Sequence, residues 1–306
     1  MSKEQAQAIL LGLALGDALG RLTEFKNLQG IKQIYGSEGI LEPPDPALYT
    51  DDTQMTIAIA EGLLLDAGLD APLDLQMEAI GKQFIRWKNE APSRAPGATC
   101  LRGVEQFESG IPWYEAGLPE SKGCGSAMRV APIGYLYRNN EERLREVAQA
   151  SSVITHRHPT AIAAAVAGAY LVKLALGDAP PTQYIPHVLR FCADLSAEFD
   201  AAITRVEQTL HWDDEEAALR YIGEGWAGEE AIALALYCVL RYPDDYVACV
   251  RRAANSNGDS DSIACIAGGI MGARLGLAAI PAAWIHRCEN RDYLLELGEK
   301  MAEAKS

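Results

Sequence analysis

"LYTDDTQMTIAIAEGLLL", residues 48–65, sets two adjacent carboxylates, Asp51 and Asp52, between threonines and directly ahead of an apolar run at helical spacing. Capping is the simplest reading, because Thr and Asp oxygens accept the unpaired N–H groups of a helix start and negative charge suits the positive end of the helix dipole. One cap needs one such residue. The second acid has a purpose only if a partner stands elsewhere in the chain.

That partner is "ANSNGDSDSIACIAGGIMGARLG", residues 254–276, where Asp259 and Asp261 again precede an apolar helix of small residues. An EF-hand loop does not fit: Gly258 comes two places too early after Asn255, and the twelfth position is Ile266 instead of Glu. If the two helix starts converge, four like charges repel in a partly buried site unless cations neutralise them. An all-oxygen shell of carboxylates, hydroxyls and water suits Mg²⁺ or Mn²⁺ better than Zn²⁺.

Working outward, apolar residues recur at helical spacing over 4–20, 54–67, 74–88, 142–150, 160–176, 184–196, 229–241, 261–276 and 291–304, and strand alternation is nearly absent. Gly and Pro clusters such as "LEPPDPALY" and "GDAPPTQYIP" punctuate these segments, so the expected architecture is all-α. No repeat of fixed period and no flexible linker divides the 306 residues, and one domain over 1–306 is expected. With 49% hydrophobic and 23% charged residues, the chain can build a large core.

Charge and cysteine usage exclude some functions. A net charge of −15, from 42 acidic against 27 basic residues, disfavours a general nucleic-acid-binding surface. The apolar N-terminal stretch is preceded by Glu4 and interrupted by Asp17, so it reads as a first helix rather than a leader, and no apolar run reaches the length that spans a bilayer. Seven cysteines without C-x-x-C spacing suit a reducing compartment, and a cytoplasmic location is expected.

Three further stretches carry chemistry. "LGLALGDALGRLTEF", residues 11–25, spaces Gly12, Gly16 and Gly20 so that another backbone can approach one helix face, and places Glu24 beyond the helix. "SKGCGSAMRVAPIGYLY", residues 121–137, offers a small-residue loop whose N–H groups suit phosphate, although a plain tight turn reads the same. "ITHRHPTAIAAAVAGAYLV", residues 154–172, puts His156 and His158 ahead of another helix; no second pair completes a zinc site, so substrate contact or loop structure is expected. "GEGWAG", residues 223–228, matches a dinucleotide fingerprint in letters only, since the segment before it is helical in character and Glu224 would repel a pyrophosphate.

In this order, "LGLALGDALGRLTEF", "YTDDTQMTIAIAEGLL", "GCGSAMRVAPIG", "THRHP" and "NGDSDSIACIAGGIMGARLG" resemble the ADP-ribosylglycohydrolase family over residues 9–276. The resemblance implies an all-α domain of many crossing helices and a hydrolase that cleaves the bond joining ADP-ribose to a modified group, with two Mg²⁺ or Mn²⁺ ions as cofactors. It implies Thr50, Asp51, Asp52, Asp259, Asp261 and Ser262 as the metal shell, Ser262 standing where threonine is more frequent. Glu24, with Asp52 and Asp259, is implied in catalysis. Gly123, Cys124, Gly125, Ser126 and Met128 correspond to the loop that holds diphosphate and ribose, and His156 and His158 to substrate contacts.

"EAPSRAPGATC", residues 90–100, departs from arginine-specific members, which carry an aspartate where this chain has Ala95-Pro96-Gly97. An arginine leaving group loses its obvious carboxylate partner there. The expected partner is therefore an ADP-ribosylated protein, nucleic acid or small molecule. Hydrolysis of a free metabolite such as O-acetyl-ADP-ribose, or a non-catalytic ADP-ribose-binding or structural protein, are the alternatives. The oligomeric state stays open, a monomer included.

Overall fold

The computed structural model describes residues 3–304, and the chain is all-α, as expected: seventeen α-helices and, among the described residues, no strand but only isolated bridges such as Lys26–Gly258 and Gly123–Ala227. One cluster of buried apolar residues runs from Ala6 to Met301 and joins the first helices to the last. Contrary to the expectation that no apolar run reaches that length, helix Pro159–Leu176 is long and apolar enough to cross a membrane; most of it is buried by its neighbours, as in the central helix of a core.

Several boundaries differ from the sequence expectation for local reasons. The segment expected at 54–67 starts at Asp51, because Thr50 caps it, and after Glu61 it widens into a π turn over Gly62–Ala67. The segment expected at 184–196 is shorter and stops at Phe191; Ser196 then caps a new helix, Ala197–Thr209, by accepting from Phe199 N at 3.2 Å. Short helices such as Leu28–Tyr35, Glu215–Ile222 and Tyr246–Ala254 lie in stretches too polar to show a long apolar stripe, and the Asn27, Asp214 and Asp245 side chains cap them.

The pair that positions the site is helix Lys3–Gly20 against helix Ser260–Leu275. They run antiparallel with almost no side chain between them: a Cβ added at Gly12, Gly16 or Gly20 would come within 2.5 Å of Gly268 O, 2.1 Å of Ala264 O or 2.4 Å of Ser260 O, and one at Gly272 within 2.1 Å of Ala8 O. Glycine every fourth residue is therefore a requirement of backbone approach. Antiparallel running brings the C-terminal end of the first helix, and Glu24 beyond it, to the start of the second. Thr23 fastens that junction, donating to Ala254 O at 2.6 Å and lying 3.0 Å from Ser260 Oγ.

Candidate active site

The start of a third helix is drawn to the same place by Asp17, a fully buried acid inside the first apolar helix. Its carboxylate accepts from Thr50 N at 2.9 Å, from Thr53 N at 3.1 Å and from Thr53 Oγ1 at 2.6 Å, so it satisfies N–H groups at the start of helix Asp51–Glu61 from another helix. Thr50 supplies the local cap, its Oγ1 accepting weakly from Asp52 N at 3.4 Å. Asp51 and Asp52 are thus released from capping. At the other start Asp259 occupies the cap position but its side chain caps nothing.

The released carboxylates meet. Glu24, Asp259 and Asp261 each offer a ligand atom within 4.8 Å of the others, and Asp51, Asp52 and Ser262 line the same cavity of about 370 Å³. Asp52 Oδ1 is buried without any hydrogen-bond partner, an expensive state for a carboxylate oxygen and one that a cation relieves. Burial, followed by the neighbouring acids, pushes these carboxyls up: Asp51 to about 8, Glu24 to about 7, and Asp52 and Asp261 well above the carboxylate range. Asp17 rises to about 6, burial outweighing its four hydrogen bonds. A hard-oxygen donor set that stays protonated on its own fits divalent cations, which would hold it ionised. Another cavity of similar size, lined by Tyr49, Trp87, Arg94 and Tyr293, has acids that are already paired, Glu289 with Arg94 and Glu61 with Tyr293.

The glycine loop forms the next wall. Cys124–Ser126 make a 3₁₀ turn, held by Cys124 N donating to Trp226 O at 3.1 Å. Gly125 is packed so closely that a Cβ would meet Cys100 Sγ at 2.5 Å and His156 Cε1 at 3.1 Å. Behind the loop, His156 is buried and its pKa falls to about 3, through burial first and the Arg129 charge second, so the ring is neutral at any working pH. Arg129 donates to Thr155 Oγ1 at 2.8 Å, and Thr155 Oγ1 stands 2.9 Å from His156 Nδ1. With Nδ1 engaged by Thr155, Nε2 is the ring nitrogen left on the side of Gly123 and Gly125.

Not every sequence-expected residue reaches the cavity. Gly123, Cys124, Gly125, Met128 and His156 line it. His158 does not: its Nδ1 accepts from Thr160 N at 3.2 Å and caps helix Pro159–Leu176, so the loop role is the one it fills. Ser126 is buried with its hydroxyl 3.3 Å from Ala161 O, and Thr50 points its hydroxyl to Asp52 Oδ2 at 3.1 Å. The rim carries a pair that periodicity did not mark: Phe25, 68% exposed, and Trp226, 40% exposed, stack at 5.2 Å between ring centres. Phe25 also holds a left-handed backbone, φ 63°.

The family model described as ADP-ribosylglycohydrolase matches residues 2–306. The chain belongs to the ADP-ribosylglycohydrolase family. Within it, the chain is 31% identical to an uncharacterised protein of Archaeoglobus fulgidus, over 98% of this chain and 97% of that one. It is 25% identical to the ADP-ribosylarginine hydrolase Tri1 of Serratia proteamaculans, over 98% of this chain and 79% of that one. A solved structure titled ADP-ribosylglycohydrolase-related protein complex superposes with a TM-score of 0.74 at 26% identity, covering 99% of both chains.

For an ADP-ribosylglycohydrolase chain, sequence reading passed over Asp17, Arg129, Phe25 and Trp226. Asp17 had a signal, an acid in an otherwise apolar helix, but its partners lie more than 30 residues away. Phe25 and Trp226 had none, since they meet only when the Lys26–Gly258 bridge and the 223–228 loop are folded.

Proposed function

We propose that this chain hydrolyses the glycosidic bond between ADP-ribose and a modified group, at the ribose anomeric carbon, with a two-cation Mg²⁺ or Mn²⁺ centre. The observation that carries the reading is the buried meeting of Glu24, Asp51, Asp52, Asp259 and Asp261 with Asp52 Oδ1 unpartnered, after capping has been handed to Thr50 and Asp17. Thr50, Asp51 and Asp52 would hold one side of the centre and Asp259, Asp261 and Ser262 the other. Bound there, divalent cations supply charge neutralisation and Lewis-acid polarisation of oxygen.

The chain's own groups do the rest. The neutral His156 ring, through Nε2, and the Gly123–Gly125 loop would contact the diphosphate and ribose, so binding remote from the reacting carbon orients the sugar. Phe25 and Trp226 give the base an aromatic platform. Water adds to the anomeric carbon as the bond to the leaving group breaks; Glu24, at the edge of the acidic cluster, takes the water's proton, and the leaving group gains one. The wall at Ala95, Pro96 and Gly97 has no acid for a guanidinium, which favours an uncharged leaving group over arginine and keeps a free ADP-ribose ester as a second substrate reading. All seven cysteines stand as free, buried thiols, in keeping with a cytoplasmic setting.

Glu24→Gln tests the assignment. Turnover should fall by roughly 10²–10⁴-fold with ADP-ribose affinity nearly unchanged; undiminished turnover removes Glu24 from the reaction.

A further inference from the structure

Among the described residues, Arg129 is the largest side chain to be fully buried, and its partners include no acid. The guanidinium donates to Ser151 O at 2.9 Å and to Thr155 Oγ1 at 2.8 Å. It reaches Met55 Sδ at 3.7 Å and Cys100 Sγ at 3.9 Å, and lies 4.4 Å over the Phe84 ring centre. Its Nε has no partner. Ser151 belongs to the last turn of helix Glu141–Val153, where a cation is favourable, but an exposed cation would serve that end as well. Burying the charge without an acid is costly and calls for another reason.

The contacts of Arg129 lead to the cavity. Thr155 Oγ1, which accepts from the guanidinium, stands 2.9 Å from His156 Nδ1. The His156 main chain is fixed to the same helix end, its N donating to Ser152 O at 2.7 Å and its O accepting from Ser152 Oγ at 3.1 Å. The far edge of the ring faces the glycine loop: a Cβ at Gly123 would stand 3.3 Å from Nε2, and one at Gly125 3.1 Å from Cε1. His156 lines the cavity, and none of the lining residues is Lys or Arg. The Arg129 charge already registers at this ring, adding to burial in holding it neutral.

We propose that Arg129 is a positioning residue for the anionic part of the ligand: through Thr155 it fixes the His156 ring against the Gly123–Gly125 loop, and its unneutralised charge favours a diphosphate at that wall. The inference rests on the ADP-ribose reading above and supplies the positive potential that the lining lacks. A charge held in a low-dielectric interior is screened far less than one in water, so it acts on a neighbouring site without touching it.

The test titrates ADP-ribose and, separately, Mn²⁺ into the full chain by calorimetry, for the wild type, Thr155→Val, Thr155→Ser, Arg129→Lys and Arg129→Met. Thr155→Val keeps the shape and deletes the link, and ADP-ribose affinity should fall on the order of tenfold, the loss of about one hydrogen bond to a charged group. Thr155→Ser restores the hydroxyl and should recover most of that loss, while Mn²⁺ affinity stays at the wild-type value in both. Arg129→Lys keeps the charge without the two-pronged fork, and Arg129→Met removes both, so the lysine variant should bind ADP-ribose more tightly than the methionine variant. Wild-type ADP-ribose affinity in Thr155→Val overturns the proposal and leaves the ADP-ribose reading standing. So does a loss of Mn²⁺ affinity in step with it, which would mark a merely structural residue, and so does an equal loss in Thr155→Ser or in the two Arg129 variants. A wild-type chain that binds no ADP-ribose overturns both. Should Thr155→Val not fold, the order of the lysine and methionine variants decides.

Discussion

Replacing Gly16 with alanine probes the backbone contact on which the whole site hangs. The added Cβ would stand 2.1 Å from Ala264 O and 2.7 Å from Ala264 C. Real Cβ contacts do not fall below 3.0 Å, so the two helices must part by about 0.9 Å, the shortfall between 2.1 and 3.0 Å. The obstruction is main chain inside a helix and cannot rotate aside. Overpacking of this kind costs about 1–3 kcal/mol of stability. The displacement also passes to function, because Asp259 and Asp261 ride on one helix and Glu24 on the continuation of the other. A misplacement of about 1 Å in a catalytic constellation is worth roughly a hundredfold in rate. Denaturant unfolding of the metal-free protein, Mn²⁺ calorimetry and turnover should therefore all decline together. Gly177→Ala serves as control, since its Cβ would meet nothing closer than 3.6 Å and its φ of −95° suits any residue; its stability should stay within about 0.5 kcal/mol of wild type. Gly16→Ala with wild-type stability and wild-type Mn²⁺ affinity would refute the claim that glycine spacing sets the site.

Asp17→Asn keeps the shape but turns an amide N–H₂ toward N–H and O–H donors, so it should destabilise the protein by about 1–3 kcal/mol and weaken Mn²⁺ binding although Asp17 lies outside the cavity lining; unaltered Mn²⁺ affinity would mean that Asp17 does not hold the Thr50–Asp52 segment in place. Asp17, Glu24 and Asp51, with pKa values raised to about 6, 7 and 8, bind their protons more tightly folded than unfolded. Their contribution to stability is thus complete below the ordinary carboxylate range near pH 4 and is lost as pH climbs through about 6 to 8. Thermal unfolding in EDTA should show a midpoint that falls across this window and a flatter profile once Mn²⁺ is added; a midpoint in EDTA that rises over the same window contradicts the buried-carboxylate account.

The fold was readable because its long helices are apolar over most of their surface, as in Pro159–Leu176 and Ser260–Leu275, and because the Gly12, Gly16 and Gly20 spacing announces a close crossing. The acids of the site were readable because each pair stands immediately before such a helix. What stayed hidden depends on contacts between distant parts of the chain. Nothing in the letters says that Asp17 serves the helix starting at Asp51, or that Thr50 leaves Asp51 and Asp52 free of capping duty. H-x-H reads alike whether a ring faces a ligand or caps its own helix, and the bond from Thr160 N to His158 Nδ1 shows only in the fold. The Phe25–Trp226 stack joins residues about 200 apart, each of them ordinary in its own segment.

The most direct test of the central claim is release of free ADP-ribose from arginine-linked, serine-linked, nucleic-acid-linked and O-acetyl substrates, assayed in parallel with Mn²⁺, with Mg²⁺ and with EDTA. The account predicts release from at least one linkage with either cation, abolished by EDTA and restored when the cation is returned. Release that proceeds undiminished in EDTA, or ADP-ribose binding with no release from any linkage, would contradict it.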